Sequence, residues 1–143
     1  MKVKDIMTKN IAYVNPQSKV IEAAQLMQKH NVGSIPVCDQ NGVIGIVTDR
    51  DIVVRNVAHG TSPQDTPVQD VMTSQVKTVS PDTDVNDISD IMSHDQIRRL
   101  PVVENNRLVG MVSLGDMAIN PRADMEASEA LADISKPSKP SNL

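Results

Sequence analysis

Twice in this chain a strand-like run ends in a hydroxyl and passes into a helix that carries a carboxylate. Gly45-Ile46-Val47-Thr48-Asp49-Arg50-Asp51 is echoed by Gly110-Met111-Val112-Ser113-Leu114-Gly115-Asp116. Thr48 and Ser113 would each present a hydroxyl beside the free backbone N–H groups of a helix start, which suits an anion such as phosphate. Asp51 or Asp116, three residues on, stands in the first helical turn and can accept two hydrogen bonds from a diol. Together the two groups suit a ribose phosphate. The competing reading is that Thr48 and Ser113 are helix N-caps and that both aspartates favour the helix dipole. For a single copy, capping is the better account. Two copies in register weaken it, because capping alone would tolerate Asn, Glu or a shifted position.

The duplication reaches well beyond these heptapeptides. Val3 to Val54 aligns with Val68 to Ile119 at a constant offset of 65 residues, without a gap. Identical pairs include Asp5 with Asp70, Met7 with Met72, Thr8 with Thr73, Pro16 with Pro81, Pro36 with Pro101, and Gly45 with Gly110. Such a repeat implies two units of one shape related by a pseudo-twofold axis, with function where they meet. Each copy of about 52 residues is near the size at which a lone unit buries too little surface, so the two are expected to share one core.

The elements that must position the motif recur in the same order. A short turn or helix, Val3 to Met7, leads to a small strand around Ile11 to Val14 that ends at Pro16. Ser18 is expected to cap a helix whose apolar face is Val20, Ala23, Ala24 and Met27; Thr83 does the same for Val85, Ile88, Ile91 and Met92. The apolar runs Ile35-Pro36-Val37-Cys38 and Leu100-Pro101-Val102-Val103 then turn back through Asp39 to Gly42 and Glu104 to Arg107. Val43 to Val47 and Leu108 to Val112 complete a hairpin in each copy. The second helix follows, with Thr48 or Ser113 at its N-cap. Each repeat is thus β-α-β-β-α. The boundaries are residues 1–58 for the first repeat, 59–67 for a Gly-, Pro-, Thr- and Ser-containing linker, and 68–120 for the second repeat. A tail, 121–143, follows, in which Asp124 to Ile134 is an acidic, Ala-rich helix candidate and Lys136 to Leu143 reads as disordered.

Composition narrows the function. The chain is 39% apolar with one Tyr, no Trp and no Phe, so its core is aliphatic and a binding site cannot rest on aromatic stacking. A net charge of −4 with no long basic stripe argues against general nucleic-acid binding. The one cysteine, Cys38, reads as a structural thiol in a reducing compartment. No apolar run approaches the roughly 20 residues that span a bilayer, and the N-terminus has no signal-peptide pattern, so a cytoplasmic location is expected. His30, His59 and His94 have no metal spacing and read as surface residues. Met27 and Met92 read as core, whereas Met7 and Met72 would border a cleft. No catalytic constellation or phosphate-binding loop of the Gly-x4-Gly-Lys type is present.

In combination, these pieces resemble the CBS-domain family. They are Asp-hydrophobic-Met-Thr at each start, a hydrophobic-Pro-Val run, and Gly-x-Val-Thr/Ser-x-x-Asp. The whole of Val3 to Ile119 resembles a tandem pair of these domains, a Bateman module. The resemblance implies an α/β (α+β) fold, two pseudo-twofold-related β-α-β-β-α repeats packed through their sheets. It also implies a non-enzymatic, ligand-sensing regulatory role with no obligatory cofactor. Two clefts between the repeats would bind adenine nucleotides, AMP, ADP or ATP, or S-adenosylmethionine. One cleft would place Asp51 on the ribose and Thr48 near phosphate, with Val76, Lys77, Arg98 and Arg99 from the second repeat. The other would pair Asp116 and Ser113 with Met7, Thr8, Ala12, Gly33, Ser34 and Ile35 from the first.

The copies differ in charge: Arg98-Arg99 replaces Gly33-Ser34, Lys77 replaces Ala12, and Arg50 precedes Asp51 where Gly115 precedes Asp116. The Asp51 cleft is therefore expected to hold phosphate-rich ligands more tightly. The alternative for Arg98 and Arg99 is an exposed cationic pair before a strand. The expected partners are the nucleotide, a second copy of the chain and an output protein of unknown identity. The alternative function is a purely structural dimerisation module with empty clefts, its interface formed by Ile52, Val53, Met117 and Ile119.

Overall fold

A computed structural model describes residues 1–120 and 122–137. Helix α1 spans Val20–His30 and buries Val20, Ala23 and Met27 at helical spacing. It stops where Asn31 turns left-handed, at φ 53°, and returns its N–H to the Met27 carbonyl. Strands β1 (Ser34–Asp39) and β2 (Gly42–Thr48) form an antiparallel hairpin with a register shift between Val37 and Cys38. Helix α2, Asp49–Ile52, runs directly into a π-helical turn, Val53–Val57. Strand β3 (Thr73–Ser74) adds to β2, giving the order β1-β2-β3.

The second copy supplies α3 (Val85–Asp95), a hairpin of β4 (Arg99–Glu104) and β5 (Arg107–Ser113), and α4 (Leu114–Ala118). The β4–β5 turn places Asn105 and Asn106 at φ 52° and 62°, the left-handed pair that matches strand twist. Helix α5, Asp124–Ile134, occupies the span expected for an acidic helix. Most of the segment expected to be disordered, residues 138–143, lies outside the described residues.

The chain divides into two compact units, and neither coincides with one repeat. One, the Asp51 unit, comprises Asn10–Lys77 and Val103–Leu108; the other, the Asp116 unit, comprises Met1–Lys9, Thr78–Val102 and the described residues from Val109 onward. The opening segment of each repeat has therefore been exchanged. Val68 to Lys77, which begin the second repeat, belong with Asp51, and Met1 to Lys9 belong with Asp116.

The expected single core is in fact two. Val14, Val20, Ala23, Met27, Ile35, Val37, Val47, Val68 and Val71 form one buried cluster, which lies in the Asp51 unit. Val3, Val79, Val85, Ile88, Met92, Leu100, Val102, Val112 and Met117 are buried in the other, joined by Ala123, Ala127 and Ala130 at and in α5. Each unit closes its core with material the bare repeat lacks. Val68 and Val71 come from the exchanged segment in one, and Val3 and the α5 alanines complete the other. Helix α5 packs on α3 and α4, and Ser89 donates to the Glu126 carbonyl at 3.0 Å while Gln96 donates to those of Asp133 and Lys136 at 3.1 Å.

Three local expectations need correction. The strand around Ile11 to Val14 is a single parallel bridge, Val14 to Val37, repeated as Val79 to Val102. The Pro36 and Pro101 carbonyls accept the Val14 and Val79 N–H groups, and the bridge goes no further because the chain turns at Asn15 and Ser80. Ser18 and Thr83 are not helix caps. Their hydroxyls accept the N–H of Asn15 and Ser80, both at 3.1 Å, and close the proline turns. The N-caps are Lys19, where the Glu22 carboxylate reaches back to the cap N–H, and Asp84, which accepts from Asn86 N at 2.8 Å. Asp84→Ala is therefore expected to lower stability by about 1 kcal/mol in thermal unfolding, the usual loss of a side-chain cap. Finally, Met117 is 0% exposed and belongs to the core, not to an outer interface. Val53, Val57 and Ile119, in contrast, are 58%, 63% and 84% exposed.

The expected linker is tied down: Pro63 and Thr66 carbonyls accept from Ile21 and Val20 at the start of α1. Fully buried Asn56 donates to Thr61 and Thr66 hydroxyls at 2.8 and 3.3 Å, joining the π-helical turn to the same segment. Cys38 is half-buried in β1, and burial, then the Asp39 carboxylate, push its thiol above the ordinary range. That is the signature of an unreactive thiol.

Candidate functional site: two hydroxyl–carboxylate boxes

In the Asp51 unit, β2 delivers Thr48 to the N-cap of α2. Thr48 Oγ1 accepts the Asp51 N–H at 3.0 Å, and Thr48 N–H donates to Asp51 Oδ2 at 3.0 Å. This reciprocal pair is a capping box with Asp at the third helical position. The Asp116 unit repeats it. Ser113 Oγ accepts from Asp116 N at 3.1 Å, and Ser113 N donates to Asp116 Oδ2 at 2.9 Å. The capping reading and the site reading therefore describe the same residues. The box fixes the rotamer of each aspartate and leaves its second oxygen to face something else.

What faces that oxygen differs between the units. Asp51 is 8% exposed, and the hydroxyl of Thr73, carried by the exchanged β3, lies 3.3 Å from both of its oxygens. Arg55 Nη1 lies 4.0 Å from Oδ1. Asp116 is only half-buried, and among the described residues it keeps just the bonds of its box. Thr8, the counterpart of Thr73, is held by two backbone bonds to Met111 at 2.8 and 2.9 Å.

Glycine makes this approach possible. A Cβ on Gly45 would stand 2.8 Å from the Thr73 carbonyl and 2.7 Å from Met72 Sδ; on Gly110 it would meet the Thr8 carbonyl at 2.8 Å and Met7 Sδ at 2.9 Å. The glycine that opens each heptapeptide is there so that the exchanged Met-Thr segment can lie flat on the strand.

One part of the anion argument is overturned. The N–H groups at the start of α2 are not free: Asp49 N donates to the Gly33 carbonyl at 2.9 Å, Arg50 N to Asp49 Oδ1 at 2.8 Å, and Asp51 N to Thr48. At α4, Leu114 N donates to the Arg98 carbonyl at 2.8 Å. A phosphate at Asp51 would have to be met by side chains, namely the Thr48 O–H and nearby cations, and not by the helix terminus.

The remaining candidates fall as follows. Thr48, Arg50, Asp51, Val76, Lys77, Ala12, Gly33, Ser34 and Ile35 belong to the Asp51 unit; Ser113, Asp116, Met7, Thr8, Arg98 and Arg99 belong to the Asp116 unit. Ser34 pairs with Thr48 across the hairpin, and Ile35 is 1% exposed against the core, so Ile35 can offer a ligand only its backbone. Arg98 and Arg99 are exposed at the start of β4. Sequence reasoning missed Thr73 and Arg55. Thr73 was legible as the repeat mate of Thr8; Arg55 had no signal, since its repeat mate is Asn120. Among the described residues no cluster of His, Cys, Asp and Glu could hold a metal ion, and no helix is long and apolar enough to cross a membrane.

This architecture, two mixed α+β copies each carrying a hydroxyl–carboxylate box, is that of a CBS pair. The chain belongs to the CBS-domain family, whose model matches residues 3–56 and again 68–120. CBS domain-containing protein YhcV of Bacillus subtilis is 47% identical over 133 residues, 93% of this chain and 94% of that protein. Among solved structures, the CBS domain pair of protein MJ0100, in complex with 5′-methylthioadenosine and S-adenosyl-L-methionine, is similar with a TM-score of 0.74. It is 30% identical, over 82% of this chain and 93% of that one. The hexameric CBS-CP12 protein from bloom-forming cyanobacteria is similar with a TM-score of 0.75 and 28% identity, over 84% of this chain and 70% of that one.

Proposed function

We propose that this tandem CBS-domain protein is a non-enzymatic cytoplasmic sensor of adenosine compounds, AMP, ADP, ATP or S-adenosylmethionine. The observation that carries the reading is the box at Asp51. A buried carboxylate is held in one rotamer by Thr48 and faced by a hydroxyl that the other repeat contributes. Such a carboxylate accepts a ribose diol, and the Thr48 O–H with Arg50 and Lys77, all of the same unit, supplies phosphate contacts. Ser113 and Asp116 with Met7 and Thr8 form the second site, in which Gly115 stands where the first has Arg50. Ala12, Gly33, Ser34, the backbone of Ile35, Val76, Arg98 and Arg99 are the further candidates for lining the base or the phosphates. The capture of adenosine compounds by the similar MJ0100 pair supports the class of ligand.

The signal would pass to an output protein or through the chain's own oligomer, and it requires that the partner prefer the liganded state. Exposed Val53, Val54 and Val57 are apolar surface suited to a homodimer contact, and the hexameric neighbour supports assembly. Small molecules released from protein purified without added ligand, analysed by mass spectrometry, are expected to include an adenosine compound. Calorimetric titration with AMP and ATP should then show saturable binding. No binding of AMP, ATP or S-adenosylmethionine at millimolar concentration, with dimerisation intact by ultracentrifugation, would leave the dimerisation module as the function.

A further inference from the structure

The π-helical turn after α2 places a side chain that no box residue accounts for. Arg55 Nη1 donates to the Val71 carbonyl at 3.2 Å and to the Met72 carbonyl at 3.0 Å, while standing 4.0 Å from Asp51 Oδ1. Those carbonyls immediately precede Thr73, the residue whose hydroxyl faces the carboxylate. Among the described residues, nothing comparable exists in the Asp116 unit. The repeat mate of Arg55 is Asn120, whose Oδ1 accepts from Arg122 N at 2.9 Å in the turn before α5.

We infer that Arg55 is a positioning residue for the Asp51 site, and that it makes this site the preorganised one of the two. Its guanidinium clamps the exchanged 71–73 segment to the same helical stretch that carries Asp51. The Thr73 hydroxyl and the Asp51 carboxylate are thereby set at a fixed separation before any ligand arrives. Without the clamp, the backbone of the segment keeps its short Gly45–Ser74 and Ile46–Thr73 pairing with β2, and Val71 keeps its place in the core, but the Met72–Thr73 stretch loses its tie to the α2 side. A ligand would then have to order the segment on binding, which lowers affinity. Lysine is a poor replacement, because all three contacts converge on Nη1 at the end of the longer arginine side chain, and an ammonium on a shorter, flexible stem is not held at that point by a planar group.

The inference rests on the adenosine-binding reading for its affinity arm, but not for its structural arm. Amide hydrogen exchange of Thr73 and Ser74, followed by NMR without ligand, is expected to speed up by on the order of tenfold in both Arg55→Ala and Arg55→Lys. AMP titrated into the same variants is expected to bind at the Asp51 site about tenfold more weakly, with binding at the Asp116 site unchanged. If wild-type protein fails to bind AMP, the adenosine reading falls and the exchange measurement still decides the role of Arg55. Wild-type exchange rates at Thr73 in Arg55→Ala, or AMP affinity equal to wild type in a protein that binds it, would overturn the inference.

Discussion

Gly45→Val is expected to cost the Asp51 unit about 3 kcal/mol and to abolish ligand binding there, while leaving the Asp116 site able to bind. The first methyl-sized atom already meets the Thr73 backbone carbonyl at 2.8 Å, and a backbone oxygen cannot swing aside as the Met72 sulfur can. Relief requires β3 to leave β2. That breaks the pairing of Gly45 with Ser74 and Ile46 with Thr73, removes Thr73 from Asp51, and strips Arg55 of its carbonyl partners. Gly60→Ala is the contrast. Gly60 has φ +73° but nothing within 4 Å of an added Cβ, so only backbone strain is introduced and the cost should stay near 1 kcal/mol. Urea unfolding of the two variants, with amide exchange to assign the loss to one unit, separates the effects. A Gly45→Val protein as stable as Gly60→Ala would show that close approach of the exchanged segment is not what the glycine serves.

The glycine also illustrates what was legible in the sequence. Helix faces, hairpins and both boxes could be read because each depends on local periodicity or on a cap within three residues. The exchange of opening segments could not, because it depends on contacts between residues far apart in the chain, such as Val68 with the core around Val20. A repeat identical at Met7/Met72 and Thr8/Thr73 marks those residues as important without saying which copy they serve. The expectation of one shared core failed for the same reason. It assumed each repeat to be too small alone, when each unit enlarges its core with a borrowed segment, and one of them with α5 as well. Ser18 and Thr83 misled because a hydroxyl before a helix can either cap it or close the preceding proline turn. The choice turns on Lys19 and Asp84 standing one residue nearer the helix.

Asp51→Ala is expected to weaken AMP and ATP binding more than Asp116→Ala does, by on the order of 10- to 100-fold for the first, the equivalent of about 1.5–3 kcal/mol for charge-assisted hydrogen bonds. The ranking follows from the surroundings of each carboxylate. Asp51 is buried beside Thr73 and Arg55 and directly follows Arg50, whereas Asp116 is half-exposed, keeps just the bonds of its box among the described residues and has Gly115 where the other has Arg50. Alanine also removes the carboxylate that receives the Thr48 N–H, so part of its effect would be a loosened helix start. Asp51→Asn separates the two, because an amide oxygen can still accept that N–H while the charge is lost. Asparagine should therefore keep the melting temperature near wild type and still lose most of the affinity. Salt provides a second discrimination. If cations and not the helix terminus hold the phosphates, raising ionic strength should weaken ATP binding far more than adenosine binding, since screening acts on the exposed Arg50 and Lys77 side chains. Equal losses of affinity and enthalpy in Asp51→Ala and Asp116→Ala would overturn the ranking. A salt response shared by ATP and adenosine would overturn the assignment of the phosphates to those cations.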